Sequence, residues 1–228
     1  MLTLGALCWL CRMPVWFCHH GVCRTCVTQL LLTRPIHCPV CGLPAGTRSQ
    51  PCGRCLLNPP LWHALHYVTD YQPPLTSLVK KLKYHGDTGL GRVLARLMLL
   101  SWLAERRQTA QRKPDMILNV PLHGYRHWRR GYNQTELLAS PLARWLGVEY
   151  HDDILLRHRP AIPQQMLNAR ARQSNLQGAF SCSPDVAGRH VALVDDVVTT
   201  GSTVKELTRL LLAQQADTVE VWCVCRTL

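Results

Sequence analysis

One stretch of thirteen residues, Val191 to Thr203, restricts the possible folds more than any other part of the chain. Val191, Ala192, Leu193 and Val194 form a short apolar run, as expected of a strand covered on both faces of a parallel sheet. Two adjacent carboxylates, Asp195 and Asp196, then stand where that strand is predicted to end. The small-residue turn Thr199-Thr200-Gly201-Ser202-Thr203 leads into a helical pattern, with Val204, Leu207, Leu210 and Leu211 on one face. Such a strand–loop–helix unit gathers backbone N–H groups, hydroxyls and a helix N-terminus, which together can hold a phosphate. Gly201 permits a positive φ or a close approach of the backbone. The carboxylates at the other end of the loop can accept hydrogen bonds from sugar hydroxyls.

The stretch resembles the phosphoribosyl pyrophosphate (PRPP) signature of type I phosphoribosyltransferases. That resemblance implies ribose 2′- and 3′-hydroxyl contacts for Asp195 and Asp196, and a 5′-phosphate site formed by Val197, Thr199, Thr200, Gly201, Ser202 and Thr203. A strand ending in Asp-Asp also occurs in Walker B strands and receiver domains, but the appended T-T-G-S-T is specific. The G-x-x-x-x-G-K-[ST] pattern of a P-loop does not occur.

At the opposite end of the chain, nine of the twelve cysteines fall within residues 1–55. Eight form four C-x-x-C pairs: Cys8/Cys11, Cys23/Cys26, Cys38/Cys41 and Cys52/Cys55. Two such pairs joined by a short hairpin can wrap a tetrahedral Zn²⁺, so the spacing predicts two structural zinc ribbons in series. Adjacent pairs sharing a metal is the preferred arrangement, with a crossed one open. Glycines after the pairs, as in Cys41-Gly42 and Cys52-Gly53, suit a tight knuckle. Disulfides are disfavoured in a cytosolic chain, and four repeats without a βαβ context do not read as one catalytic dithiol. Cys18, His19, His20 and His37 are read as neighbours of the sites, because eight sulfurs already complete them.

The formal net charge of +12 favours anionic partners, whether phosphate substrates or nucleic acid. The apolar start, Met1 to Leu7, lacks a basic n-region and runs into Cys8, Cys11 and Arg12, so it is not read as a signal. No segment has the ~20 uninterrupted apolar residues of a membrane span, and the expected location is the cytoplasm.

Between the two ends, Asn58-Pro59-Pro60 reads as a linker. Leu75 to Tyr84 predicts a short basic helix, whose Lys80, Lys81 and Lys83 form either an anion patch or a solvated face. A longer amphipathic helix follows to about Arg107. Met116 to Pro121 reads as the first strand of the main sheet. The loop after it carries Arg126, Arg129 and Arg130, placed for bidentate contact with pyrophosphate at the carboxyl edge of the sheet. The irregular, polar segment 157–180 falls where a phosphoribosyltransferase has its flexible loop, with Arg170 and Arg172 able to reach a substrate or a nucleic-acid backbone. A final strand, Thr218 to Cys225, completes a strand–helix alternation that indicates a parallel α/β sheet.

With these pieces assembled, the chain resembles the ComF family over essentially its full length. The resemblance rests on V-D-D-V-V-T-T-G-S-T, on Arg129-Arg130-Gly131-Tyr132-Asn133-Gln134, and on the Cys38-Pro39-Val40-Cys41-Gly42 and Cys52–Cys55 knuckles. Gln164, Leu167, Arg172, Asn175 and Gly178-Ala179-Phe180 also match. Many members have Phe where Tyr132 stands, which adds a hydroxyl here. The resemblance implies a double zinc ribbon at residues 1–60 and, at 61–228, a type I phosphoribosyltransferase-like domain: a parallel sheet with helices on both faces. It also implies PRPP with Mg²⁺ as ligand, single-stranded DNA and the DNA-uptake machinery as partners, and a role in DNA uptake and utilisation. Three activities stay open at this point: PRPP-dependent transfer, a catalytically silent PRPP or nucleotide sensor that engages DNA, and nucleotide salvage. No residue identifies the acceptor of a transfer.

Overall fold

The Val191 run becomes the central strand of a five-stranded sheet in a computed structural model, which describes residues 6–15, 21–109, 111–122, 131–158 and 178–227. In chain order the elements are α1 (Arg24–Leu32), α2 (Gly53–Leu57), β1 (Ala64–Asp70), α3 (Leu75–Tyr84), α4 (Gly89–Thr109), β2 (Met116–Asn119) and α5 (Glu136–Leu146). They continue with β3 (Glu149–His151), β4 (Leu155–Arg157), β5 (Phe180–Cys182), β6 (His190–Val198), α6 (Ser202–Ala213) and β7 (Thr218–Arg226). The sheet order is β1-β7-β6-β2-β3, with every pairing parallel. Strands β4 and β5 form a separate antiparallel pair that brackets the 159–177 segment.

Alternation along the strands divides the core between two faces. Ala192, Val194, Trp222 and Val224 point to the side covered by α3, α4 and α5, together with Val27 of α1. Val191, Leu193, Val219 and Val221 point to the other side, where Val204, Leu207 and Leu211 of α6 and Phe180 of β5 cover them. Helix α3 shows the i, i+3, i+4, i+7 pattern that seats it: Leu75, Leu78, Val79 and Leu82 are all buried. Helices therefore cover both faces, as the sequence predicts.

Two features differ from the sequence reading. Strand β1, which precedes Met116 and pairs with β7 through Leu65↔Val221 and Tyr67↔Cys223, was not anticipated. Strand β6 also runs four residues past Val194, so Asp195 and Asp196 lie within its last four residues rather than after it. Pairing with β7 as far as Val198↔Arg226 is what prolongs it.

The N-terminal cysteine segment packs on this domain. Gly42 adopts φ +72, and a Cβ there would come within 2.8 Å of Leu65 Cδ2, so a knuckle turn lies directly against β1. Among the described residues no helix is long and apolar enough to cross a membrane.

Candidate functional site

The chain reverses direction across the sheet between β2 and β6: β3 flanks β2 on one side, while β6 and β7 extend the other. Open α/β sheets bind ligands at the carboxyl ends of strands at such a switch point. A cleft of about 400 Å³ opens there, walled by Val120, Pro121 and Leu122 after β2 and floored by Asp195 and Asp196 of β6. Thr199 and Thr203 close one end; Tyr71, Tyr84 and Arg157 line the rim.

Each wall is tied in place. Thr135 Oγ1 donates to the Val120 carbonyl at 2.7 Å, and Asn133 Oδ1 accepts from the Thr135 amide at 3.2 Å. Tyr132 donates its hydroxyl to the Leu82 carbonyl of α3. That hydroxyl thus anchors the segment after β2 to the helix opposite.

The 199–203 loop gathers groups that could hold an anion. Gly201 caps α6 at φ 78, a conformation open to glycine at little cost. The first amides of α6 have no partner inside the helix. Thr200 Oγ1 lies 2.8 Å from Ser202 Oγ and accepts from the Ser202 amide at 3.4 Å, so two hydroxyls sit together at that helix end. Residues 197–204 and Asp195 also enclose a smaller hollow of about 30 Å³.

The acidic pair is asymmetric. Asp196 is buried and its Oδ1 lies 2.9 Å from Lys83 Nζ of α3. Asp195 Oδ1 accepts the Asp196 amide at 2.8 Å. Removal from water and the neighbouring Asp196 charge push the Asp195 carboxyl up to about 7. Burial works against the charge on Lys83, but Asp196 outweighs it and raises its pKa.

Of the three lysines of α3, each therefore has a different environment. Lys80 is exposed, Lys81 lies over the Trp9 ring at 5.4 Å, and Lys83 reaches into the site. Sequence periodicity left that open, because only the position of α3 across β6 tells Lys83 from its neighbours. Tyr71, Tyr84 and Arg157 were likewise not foreseen; no local pattern marks them. Arg126, Arg129, Arg130, Arg170 and Arg172 lie outside the described residues.

The cysteines form two four-sulfur groups. Ligand atoms of Cys8, Cys11, Cys23 and Cys26 all lie within 4.8 Å of one another, and so do those of Cys38, Cys41, Cys52 and Cys55. Adjacent pairs are thus brought together, not crossed ones. In each group an amide points at a sulfur: Cys23 N–H to Cys8 Sγ and Cys52 N–H to Cys38 Sγ, both at 3.3 Å. Burial pushes the Cys8 thiol up, but amides of Cys11, Cys23 and Leu10 outweigh it and bring it down to about 6. Burial and the crowded neighbouring thiols hold Cys26 and Cys55 high. A divalent cation would relieve that crowding, so the donor set fits a tetrahedral soft-ligand metal. His37 is not in either group; its Nε2 lies 3.0 Å from Arg34 Nη2.

Residues 99–228 match the phosphoribosyl transferase domain family, which agrees with the parallel sheet and the position of the cleft. The chain is 50% identical over 228 residues to DNA utilization protein YhgH of Salmonella typhi, with 100% of both chains covered. It is 36% identical over 219 residues to competence protein F of Haemophilus influenzae, covering 95% of each. The chain belongs to the ComF/YhgH family of DNA utilisation proteins. Among solved structures, adenine phosphoribosyltransferase from Saccharomyces cerevisiae overlaps 60% of this chain and 69% of its own at 21% identity, with a TM-score of 0.39. That overlap is too loose to carry detail.

Proposed function

We propose that the cleft binds PRPP with Mg²⁺ and that the protein uses this site, together with single-stranded DNA, in DNA uptake and utilisation. The observation that carries the reading is one juxtaposition: the Asp195–Asp196 pair stands near the carboxyl end of β6, two residues before a hydroxyl-rich loop at the N-terminus of α6. The loop amides and the Thr200 and Ser202 hydroxyls would hold the 5′-phosphate, and the carboxylates the ribose hydroxyls. Mg²⁺ supplies charge neutralisation of the pyrophosphate when bound, held mainly by substrate oxygens and water. Arg126, Arg129 and Arg130 are assigned to the pyrophosphate, and Arg170 and Arg172 to the loop that covers it.

In this reading residues 1–60 form a zinc-ribbon module holding two structural Zn²⁺, and 61–228 the phosphoribosyl domain. The net charge of +12 supports salt-sensitive contact with a nucleic-acid backbone. If transfer occurs, the C1–oxygen bond of PRPP breaks, a bond from C1 to the acceptor nucleophile forms, and pyrophosphate leaves; a sensor would bind without that exchange.

Calorimetric titration of the zinc-loaded protein with PRPP, with and without Mg²⁺, tests the reading. Saturable, Mg²⁺-dependent binding that is lost in Asp195→Asn/Asp196→Asn supports it. No binding by the folded wild-type protein refutes it. An acceptor screen with nucleobases then separates transfer and salvage from sensing.

A further inference from the structure

Three consecutive carbonyls of the second cysteine knuckle accept hydrogen bonds from the sheet domain. Leu65 N–H donates to the Pro39 carbonyl at 2.9 Å, Trp62 Nε1–H to Val40 at 2.6 Å, and Arg226 Nε–H to Cys41 at 3.1 Å. Two of these three donors also touch the 199–203 loop. The outer ring edge of Trp62 covers Gly201 so closely that a Cβ on the glycine would sit 3.0 Å from Trp62 Cη2. Arg226 Nη1 donates to the Val198 carbonyl at 3.0 Å and to the Thr199 carbonyl.

Arg226 is only 8% exposed, and among the described residues no carboxylate lies within ion-pair distance of it. Burying a guanidinium without a counter-ion is costly unless its donors are satisfied. Here Nε donates to the knuckle, and Nη1 to carbonyls at the start of the loop and to that of Thr227. A planar fork holds such acceptors in fixed, separated directions, whereas an ammonium is a compact point charge on a flexible stem. The first cysteine group is placed differently. It packs against α3 and α4, with Val93 against Gly21 and Lys81 over Trp9. Among the described residues no hydrogen bond runs from it to the 198–204 backbone.

We infer that the Cys38/Cys41/Cys52/Cys55 site controls the 199–203 loop through Trp62 and Arg226, so that a metal ion bound there fixes the loop in its anion-receiving shape. Trp62 and Arg226 are positioning residues in this scheme. The knuckle carbonyls point at them only while the four sulfurs are drawn together, and loss of the ion frees the carbonyls and with them the loop. The link to PRPP affinity rests on the proposed function; the link between knuckle and loop does not.

Amide hydrogen exchange of the full chain tests the inference. Cys52→Ser, which opens the second site, is expected to speed exchange of the 199–204 amides about tenfold, whereas Cys11→Ser, which opens the first, leaves them unchanged. Arg226→Lys is expected to speed the same amides, and Cys52→Ser to add little on that background, because coupled changes are not additive. Equal effects of the two cysteine variants on the loop, or full additivity with Arg226→Lys, would overturn the inference. Should Cys52→Ser strip protection from β6 and β7 altogether, Trp62→Phe and Arg226→Lys with both metal sites intact decide. Faster loop exchange with protected strands and two bound metal ions supports the inference, and an unchanged loop refutes it. PRPP titration of the same proteins keeps the two readings apart. A tenfold weaker affinity in Arg226→Lys supports both, and loop coupling without any PRPP binding in the wild type removes the proposed function while leaving the inference standing.

Discussion

Lys83 Nζ lies 2.9 Å from Asp196 Oδ1, so one carboxylate of the acidic pair already has a cation supplied by the protein. The pair joins α3 to the end of β6 across the floor of the cleft, and Tyr132 fixes α3 one residue away through the Leu82 carbonyl. Asp195 has no such ion pair among the described residues, and its carboxyl is the one pushed up, to about 7.

Removing the lysine therefore leaves a buried charge uncompensated. Lys83→Met is expected to lower stability by about 3 kcal/mol, at the lower end for breaking a buried pair because the lysine keeps some contact with solvent. Urea unfolding measures it. In Lys83→Met/Asp196→Asn the loss should fall well short of the sum of the single changes. Additive losses would mean that the pair contributes nothing as a pair.

The raised carboxyl of Asp195 gives the protein a pH signature. Its folded pKa, about 7, is above the ordinary 3.8, so the folded state holds a proton that the unfolded state has released between those values. The stabilisation is complete below pH ~4, declines as pH rises from there, and is gone above ~7. Asp195→Asn is expected to remove this slope from the urea midpoint measured between pH 4.5 and 7. Affinity for Mg²⁺-PRPP should move the opposite way, increasing from pH 6 to 8 as the carboxylate ionises.

Much of this site could be read from sequence, and the reason is local. Strand, acidic pair, glycine turn and helix face are consecutive, and periodicities of 2 and 3.6 place each of them. The C-x-x-C pairs are equally local. What escaped was fixed by distant partners. Strand β1 reads poorly because His66 stands in its buried middle; Glu105 of α4 lies 2.5 Å from His66 Nδ1, and Glu220 of β7 lies 3.4 Å from Nε2. Lys83 escaped for the same reason, since its partner is on β6, more than a hundred residues later in the chain.

That buried histidine defines a second pH window. Burial lowers the His66 pKa, but Glu105 and Glu220 outweigh it and raise it to about 9. Its contribution is full below pH ~6.5 and is lost as pH rises through about 9. Glu105 also pairs with Arg34 at 2.5 Å, so Glu105→Gln leaves Arg34 without its anion and His66 with Glu220 alone. A loss of about 3–5 kcal/mol is expected, together with a flatter stability profile between pH 6.5 and 9. An unchanged profile would assign the slope to another group.

The glycine of the loop is a test of shape rather than charge. Gly201 has φ +78, and a left-handed conformation costs an L-residue about 1–2 kcal/mol. Gly201→Ala also brings a methyl within 3.0 Å of Trp62 Cη2, so the ring or the loop must shift. PRPP affinity is expected to fall at least tenfold while the thermal midpoint moves by only a few degrees. A variant that binds as tightly as wild type would show that the loop tolerates another backbone path.

Metal content tests the cysteine groups directly. Each holds its four sulfurs within 4.8 Å, with amide N–H groups aimed at sulfur and one thiol lowered, to about 6 for Cys8 and about 7 for Cys38. Four thiols so close cannot all ionise without a cation, whereas a tetrahedral Zn²⁺ makes the four-thiolate state the stable one. The purified wild type is expected to carry about two zinc ions per chain and each of Cys8→Ser and Cys38→Ser about one. Because metal binding displaces thiol protons, zinc should be released on acidification, and a strong chelator should shift urea unfolding to lower concentration. A metal-free wild type with an unshifted unfolding curve would mean that packing alone holds these knuckles together.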